Sequence, residues 1–208
     1  MKRAVSKIRA GGLTLALTLV LAGGLGPPGA RAQRVETLSR EDALAYFTLN
    51  CAYFGLWPAA VDPQQTKMLK IGMLGRSNLA DSLRTVSERA KATWFRGGEI
   101  IFRQSDKAAD ISDCHIVFLG DLDEADLAAA LVVFDDRPVL LVSETRGFVE
   151  KGGSVGVRIE RGSLRFEINL DRLRAQNIAL DSKFRGKAAA YINAGHREEN
   201  PGKGGVRP

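Results

Sequence analysis

Apolar and polar positions alternate with period two between Val155 and Ile168. Val155, Val157 and Ile159 fall on one side while Arg158 and Glu160 fall on the other, and after Arg161-Gly162 the residues Leu164, Phe166 and Ile168 repeat the pattern. This predicts a hairpin with one buried face. Upstream, the unbroken apolar run Val139–Val142 reads as a buried strand, separated from the hairpin by Gly152-Gly153. Further strands are expected over Lys67–Leu74, Glu99–Arg103 and Cys114–Leu119. Helices are expected from a Ser39 cap, with Asp42 three residues on, to about Leu56, where Pro58 and Pro63 stop the chain, and then over Asn78–Lys91, Asp123–Phe134 and Asp181–Ile192. Strands alternating with helices predict an α/β three-layer sandwich: a mostly parallel sheet with helices on both faces and an antiparallel C-terminal hairpin. Residues 195–208, polar and rich in Gly and Pro, are expected to be a disordered tail.

The first 32 residues read as an export signal. Lys2, Arg3, Lys7 and Arg9 precede an apolar stretch, Leu13–Leu25, and Ala30-Arg31-Ala32 has the small-x-small pattern of a cleavage site. Cleavage after Ala32 would start the exported chain at Gln33 and place a single domain over residues 33–194, in the periplasm. The apolar stretch is short for a membrane span. Removing this segment changes the charge picture. Five cations leave with it, Lys2, Arg3, Lys7, Arg9 and Arg31, and no acid, so the +6 of the full chain becomes +1. The remaining basic residues are interleaved with acids, which argues against a nucleic-acid partner.

The chemistry-bearing residues are sparse. Of the two histidines, His115 sits inside a strand pattern and His196 in the expected tail. Ser143 has neither a nucleophile-elbow motif nor a sequence-evident base. Gly72-Met73-Leu74-Gly75 lacks the third glycine of a dinucleotide loop and the Gly-Lys-Ser/Thr of a phosphate loop. Counting the acids Asp121, Asp123, Glu124 and Asp126 as a calcium loop puts Asp126 where Gly is needed and Val132 where Glu is needed. Acids in the first turn of a helix are the simpler reading. No catalytic set, cofactor or metal site is expected, so the chain reads as a binding module rather than an enzyme.

The order of elements resembles the YfiR-like family of small periplasmic proteins. The resemblance is carried by Tyr53-Phe54-Gly55-Leu56-Trp57-Pro58 at the end of the first helix and by Lys70-Ile71-Gly72-Met73-Leu74-Gly75. Further on it is carried by Cys114 to Gly120, by Val142-Ser143-Glu144 with Gly147-Phe148, and by the hairpin ending in Phe166-Glu167-Ile168-Asn169. It implies a regulator that binds the periplasmic sensor domain of an inner-membrane diguanylate cyclase and represses it, lowering cyclic di-GMP. An adaptor for a membrane sensor kinase is the alternative within that class, and a secreted hydrolase a more distant one. A second copy of the chain, forming a homodimer, is a further candidate partner. Tyr46, Phe47, Tyr53, Phe54 and Trp57 are chiefly core candidates, and such a cluster can also leave an exposed apolar edge. The expected interface combines that aromatic end of the first helix, Phe54 and Trp57, with Arg146, Phe148, Glu150 and Lys151 of the loop Thr145–Gly153, whose glycines suggest mobility; the alternative is that Trp57 and Phe148 are both core. The two cysteines, Cys51 and Cys114, read either as packed thiols or as a disulfide. Family members that bridge the Cys114 position tend to place the second cysteine where this chain has Gly72.

Overall fold

The computed structural model describes residues 38–93 and 95–200, all within one compact unit. The expected signal segment, its cleavage site at Ala32 and the last eight residues lie outside the described residues. In chain order the elements are α1 (Arg40–Phe54), β1 (Gly55–Leu56), α2 (Pro63–Thr66), β2 (Met68–Leu74), α3 (Leu79–Thr93), β3 (Glu99–Ser105), β4 (Ile116–Leu119) and α4 (Glu124–Val133). They continue with β5 (Leu140–Ser143), β6 (Val155–Glu160), β7 (Ser163–Asn169), α5 (Leu170–Ala175), β8 (Ala179–Leu180), α6 (Ser182–Arg185), β9 (Ala190–Asn193) and β10 (His196–Glu199). Eight strands form one sheet in the order β10-β9-β7-β6-β5-β4-β2-β3, and β1 pairs with β8 in a separate two-stranded ribbon. Pairing is parallel throughout the large sheet except in the hairpins β6–β7 and β9–β10.

The expected mixed sandwich is present, and the period-two alternation decides its layers. On one face Ile71 and Met73 of β2, Ile116 and Phe118 of β4, and Leu140 and Val142 of β5 pack with Leu44, Phe47 and Cys51 of α1 and Leu83 and Val86 of α3. The alternate residues Val117, Leu119 and Leu141 meet Leu127, Ala130 and Phe134 at α4, with Ile111 and Phe148, on the other face. Each large side chain so buried contributes about 1.5–3 kcal/mol. In the hairpin, Val155 pairs with Ile168, Val157 with Phe166 and Ile159 with Leu164, the register that the alternation predicts. Arg161 and Gly162 both have positive φ, 49° and 75°, the two-residue turn that matches strand twist. Here the outer face carries Arg158, Glu160 and Glu167 in ion pairs instead of a helix layer.

Helix starts follow their caps. Ser39 Oγ accepts the Asp42 N–H at 3.0 Å, and Asp123 Oδ1 accepts the Asp126 N–H at 2.8 Å, so the acidic run at 121–126 opens a helix. Two expectations fail at the C-terminus. The helix expected over Asp181–Ile192 stops at Arg185, because Gly186 ends the turn and Ala190–Asn193 is drawn into parallel pairing with the free edge of β7. The tail expected to be disordered from 195 instead forms β10 over His196–Glu199. Ala194 and Gly195, at φ 49° and 75°, make a tight turn whose two N–H groups donate to the Asp171 carboxylate at 2.9 and 2.8 Å. Arg197 then pairs with Glu167 at 2.8 Å and with Glu150, tying β10 to β7 and to the loop after β5. Among the described residues no helix is long and apolar enough to cross a membrane.

Candidate partner-binding surface

The aromatic end of α1 divides into buried and exposed residues. Phe54 is half-buried and stacks on Phe184 at 5.3 Å. Trp57, only 8% exposed, donates from Nε1 to the Pro138 carbonyl at 3.0 Å and meets the His115 ring edge-on at 6.1 Å. Its ring folds back over Gly55, where a Cβ would sit 2.1 Å from it, which explains the glycine. Trp57 therefore belongs to the core, contrary to its expected interface role, because the ring is large and its one polar atom has an internal acceptor. Tyr53 and Leu56 instead reach solvent, at 49% and 58%. Leu56 lies in the β1–β8 ribbon, so alternation turns it outward as Trp57 turns inward. The signal for which residues of this segment reach solvent was the switch from helical to period-two spacing at Gly55.

The loop Thr145–Gly153 also differs from expectation. Phe148 is 1% exposed and Val149 is buried beside it, so Phe148 is core and not an exposed anchor. The glycines serve packing: a Cβ on Gly153 would lie 2.2 Å from the Phe148 ring, and Gly147 and Gly152 have φ of 69° and 99°. The loop is braced rather than free. Lys151 N–H donates to Gly147 O, Gly153 N–H to Phe148 O, and Asn169 Nδ2 to Val149 O at 2.8 Å. Arg146, Glu150 and Lys151 are exposed; Glu150 pairs with Arg197 and Lys151 with Glu124 at 2.9 Å. Ser143 is buried, and its hydroxyl donates to Leu119 O at 2.9 Å and accepts the Thr145 N–H at 3.1 Å.

The two halves of the expected interface do not meet. Helix α1 runs against β5: Arg40, at its start, pairs with Glu144 just after β5, and Trp57, beyond its end, bonds Pro138 just before β5. The aromatic segment and the 145–153 loop thus lie at opposite ends of the same central strand.

The cysteines are free and buried, one on each face of the sheet: Cys51 in the α1 core and Cys114 in the α4 core. The sheet stands between them, so the Cys51–Cys114 bridge is replaced by two packed thiols, and burial raises the pKa of each. Thiol titration in denaturant without reductant should count two per chain, and native protein should react slowly; fewer than two would contradict this arrangement. His115 is a structural residue. Its Nδ1 accepts the Lys70 N–H at 2.9 Å, and burial lowers its pKa. Next to it Asp113 binds Lys70 at 2.7 Å and also Arg103, and the Lys70 hydrogen bond leads in holding its carboxyl down to about 2.

These shifts give a pH dependence. Asp113 and Glu167, the latter held low chiefly by Arg197, have folded pKa values below their ordinary ones, so their stabilisation is complete above about 4.5 and is lost as pH falls through the folded values. His115, neutral by burial, acts in the same direction starting below about 6.5. Glu144, raised by burial, opposes them. Melting temperature should stay level between about pH 6.5 and 8, decline below it, most steeply under pH 4.5, and fall again in alkali as the unfolded chain's thiols ionise; a rise on acidification from neutral pH would contradict the assignment.

A family model described as YfiR/HmsC-like matches residues 41–185, from α1 through α6. No curated protein matches. Among solved structures, a conserved domain protein from Vibrio cholerae is similar at 12% identity, with a TM-score of 0.45. The match covers 74% of this chain and 60% of that one, so this chain spans less than two-thirds of its length. With the family model covering well over half the residues, the chain belongs to the YfiR/HmsC-like family.

Proposed function

We propose that this protein is a periplasmic regulatory binding protein that represses an inner-membrane diguanylate cyclase by binding its periplasmic sensor domain. The family match over residues 41–185 carries this reading. Two features support it: His115 and Ser143 are both engaged in internal hydrogen bonds, and an apolar surface at Tyr53 and Leu56 is offered to solvent. That surface, rather than Trp57 and Phe148, is the docking face, with Leu56 as its anchor. Replacing Leu56 by Asp puts a charge where a partner would bury a side chain. The variant should melt within about 1 kcal/mol of the parent, since Leu56 is exposed, yet lose at least tenfold in affinity for the cyclase's sensor domain. Calorimetric titration of that domain checks both; undiminished affinity would remove Leu56 from the interface.

A further inference from the structure

A cleft of about 410 Å³ opens at the start of the parallel strands β2, β4 and β5, within the size range of small-molecule sites. Its walls are apolar, from Val61, Met68, Pro138 and Val139, and two cations, Lys70 and Arg137, line it. The charges around the cleft do not cancel. Asp113 is shared between Lys70 and Arg103, and Arg137 makes a side-chain bond to the Val133 carbonyl at 3.2 Å but has no acidic partner among the described residues. The other polar groups of the lining are occupied internally: Thr66 bonds Asp62 O, Ser112 bonds Ala109 O, and His115 Nδ1 takes the Lys70 N–H. What remains for a ligand is an apolar trough with an excess of positive charge, led by the uncompensated Arg137.

We propose that this cleft binds a small amphipathic anion, with a single carboxylate head on Arg137 and Lys70 and an aliphatic body against Val61, Met68 and Pro138. A planar guanidinium suits a carboxylate, and the partly apolar surroundings strengthen that contact. Val61 ends the short helical turn Ala59–Val61 that follows Leu56 and Trp57, and Pro138 holds the Trp57 indole. An occupied cleft would brace this segment, so that, if the proposed function is right, the ligand tunes the Leu56 face. The existence of the site does not depend on that reading.

Calorimetry on the purified chain with octanoate, octanol and octylammonium tests the site without any partner. Octanoate should bind saturably at one per chain, with octanol and octylammonium about tenfold or more weaker. Arg137→Gln should weaken octanoate by a similar factor, Arg137→Lys, which keeps the charge but not the planar fork, should weaken it less than Arg137→Gln does, and Ala60→Trp, which fills the mouth from an exposed position, should abolish it. Thermal melts confirm that each variant is folded. Absence of saturable octanoate binding, equal binding of the three probes, or unchanged affinity in folded Arg137→Gln or Ala60→Trp would overturn the proposal.

Discussion

Replacing Phe148 or Trp57 by Ala should cost the fold about 3–5 kcal/mol, because each removes a buried aromatic ring and leaves a cavity that rigid neighbours cannot fill. For Phe148 the neighbour is Gly153, whose missing side chain makes room for the ring, so the loop 145–153 loses its anchor as well. For Trp57 the loss includes the hydrogen bond that satisfies the Pro138 carbonyl. In a domain of this size about 1 kcal/mol corresponds to roughly 2–4 °C, so melting points should drop by about 6–20 °C. Differential scanning calorimetry on both variants decides between this and an interface role. Parent-like melting together with lost partner binding would mean that these rings dock on a partner.

Gly72→Cys should create a disulfide that the natural chain lacks. A Cβ built on Gly72 lies 3.1 Å from Cys114 Sγ and 3.4 Å from Cys114 Cβ. A bridge with an S–S bond near 2.04 Å places each Cβ about 3 Å from the far sulfur, and Cβ atoms about 3.5–4.5 Å apart. The geometry is close to both, at the cost of turning the Val117 methyl that would otherwise be 2.9 Å away. Closing a loop of roughly 40 residues would restrict the unfolded chain by about 4 kcal/mol, less any strain. Oxidised Gly72→Cys should therefore show no free thiol at Cys114 and melt higher than its reduced form. In denaturant the oxidised variant should show one free thiol, that of Cys51; three free thiols after oxidation, or a lower melting point when bridged, would contradict the placement of β2 against the start of β4. The family resemblance pointed to position 72, and the structure supplies the reason that position suits a bridge to Cys114 while Cys51, beyond the sheet, does not.

How much of this was legible in the sequence depended on whether local pattern or tertiary context decided the outcome. The runs at Ile116–Leu119 and Leu140–Ser143 are apolar because both faces of a central parallel strand are covered, and that shows directly in composition. The 155–168 alternation and the caps at Ser39 and Asp123 are likewise local. The Lys187–Asn193 segment misled because alanines favour a helix, whereas the open edge of β7 made pairing the better use of those backbone groups. The Ala194-Gly195 turn was hidden because its stabilising acid, Asp171, lies 23 residues upstream of Ala194. Burial of Phe148 was illegible for a related reason: it sits in a polar, glycine-rich stretch, and only the folded chain shows that its ring covers Gly153. Nor does spacing along a chain reveal that a helix running against β5 carries its aromatic end away from the loop that follows that strand.

Repression of a membrane cyclase through an exposed surface that includes Leu56, as proposed, has cellular cyclic di-GMP as its most direct readout. In a strain lacking this protein, the nucleotide should rise; the natural chain should restore the low level, and Leu56→Asp, folded and exported in equal amount, should not. Cyclic di-GMP unchanged by the deletion, or restored equally well by Leu56→Asp, would contradict the account.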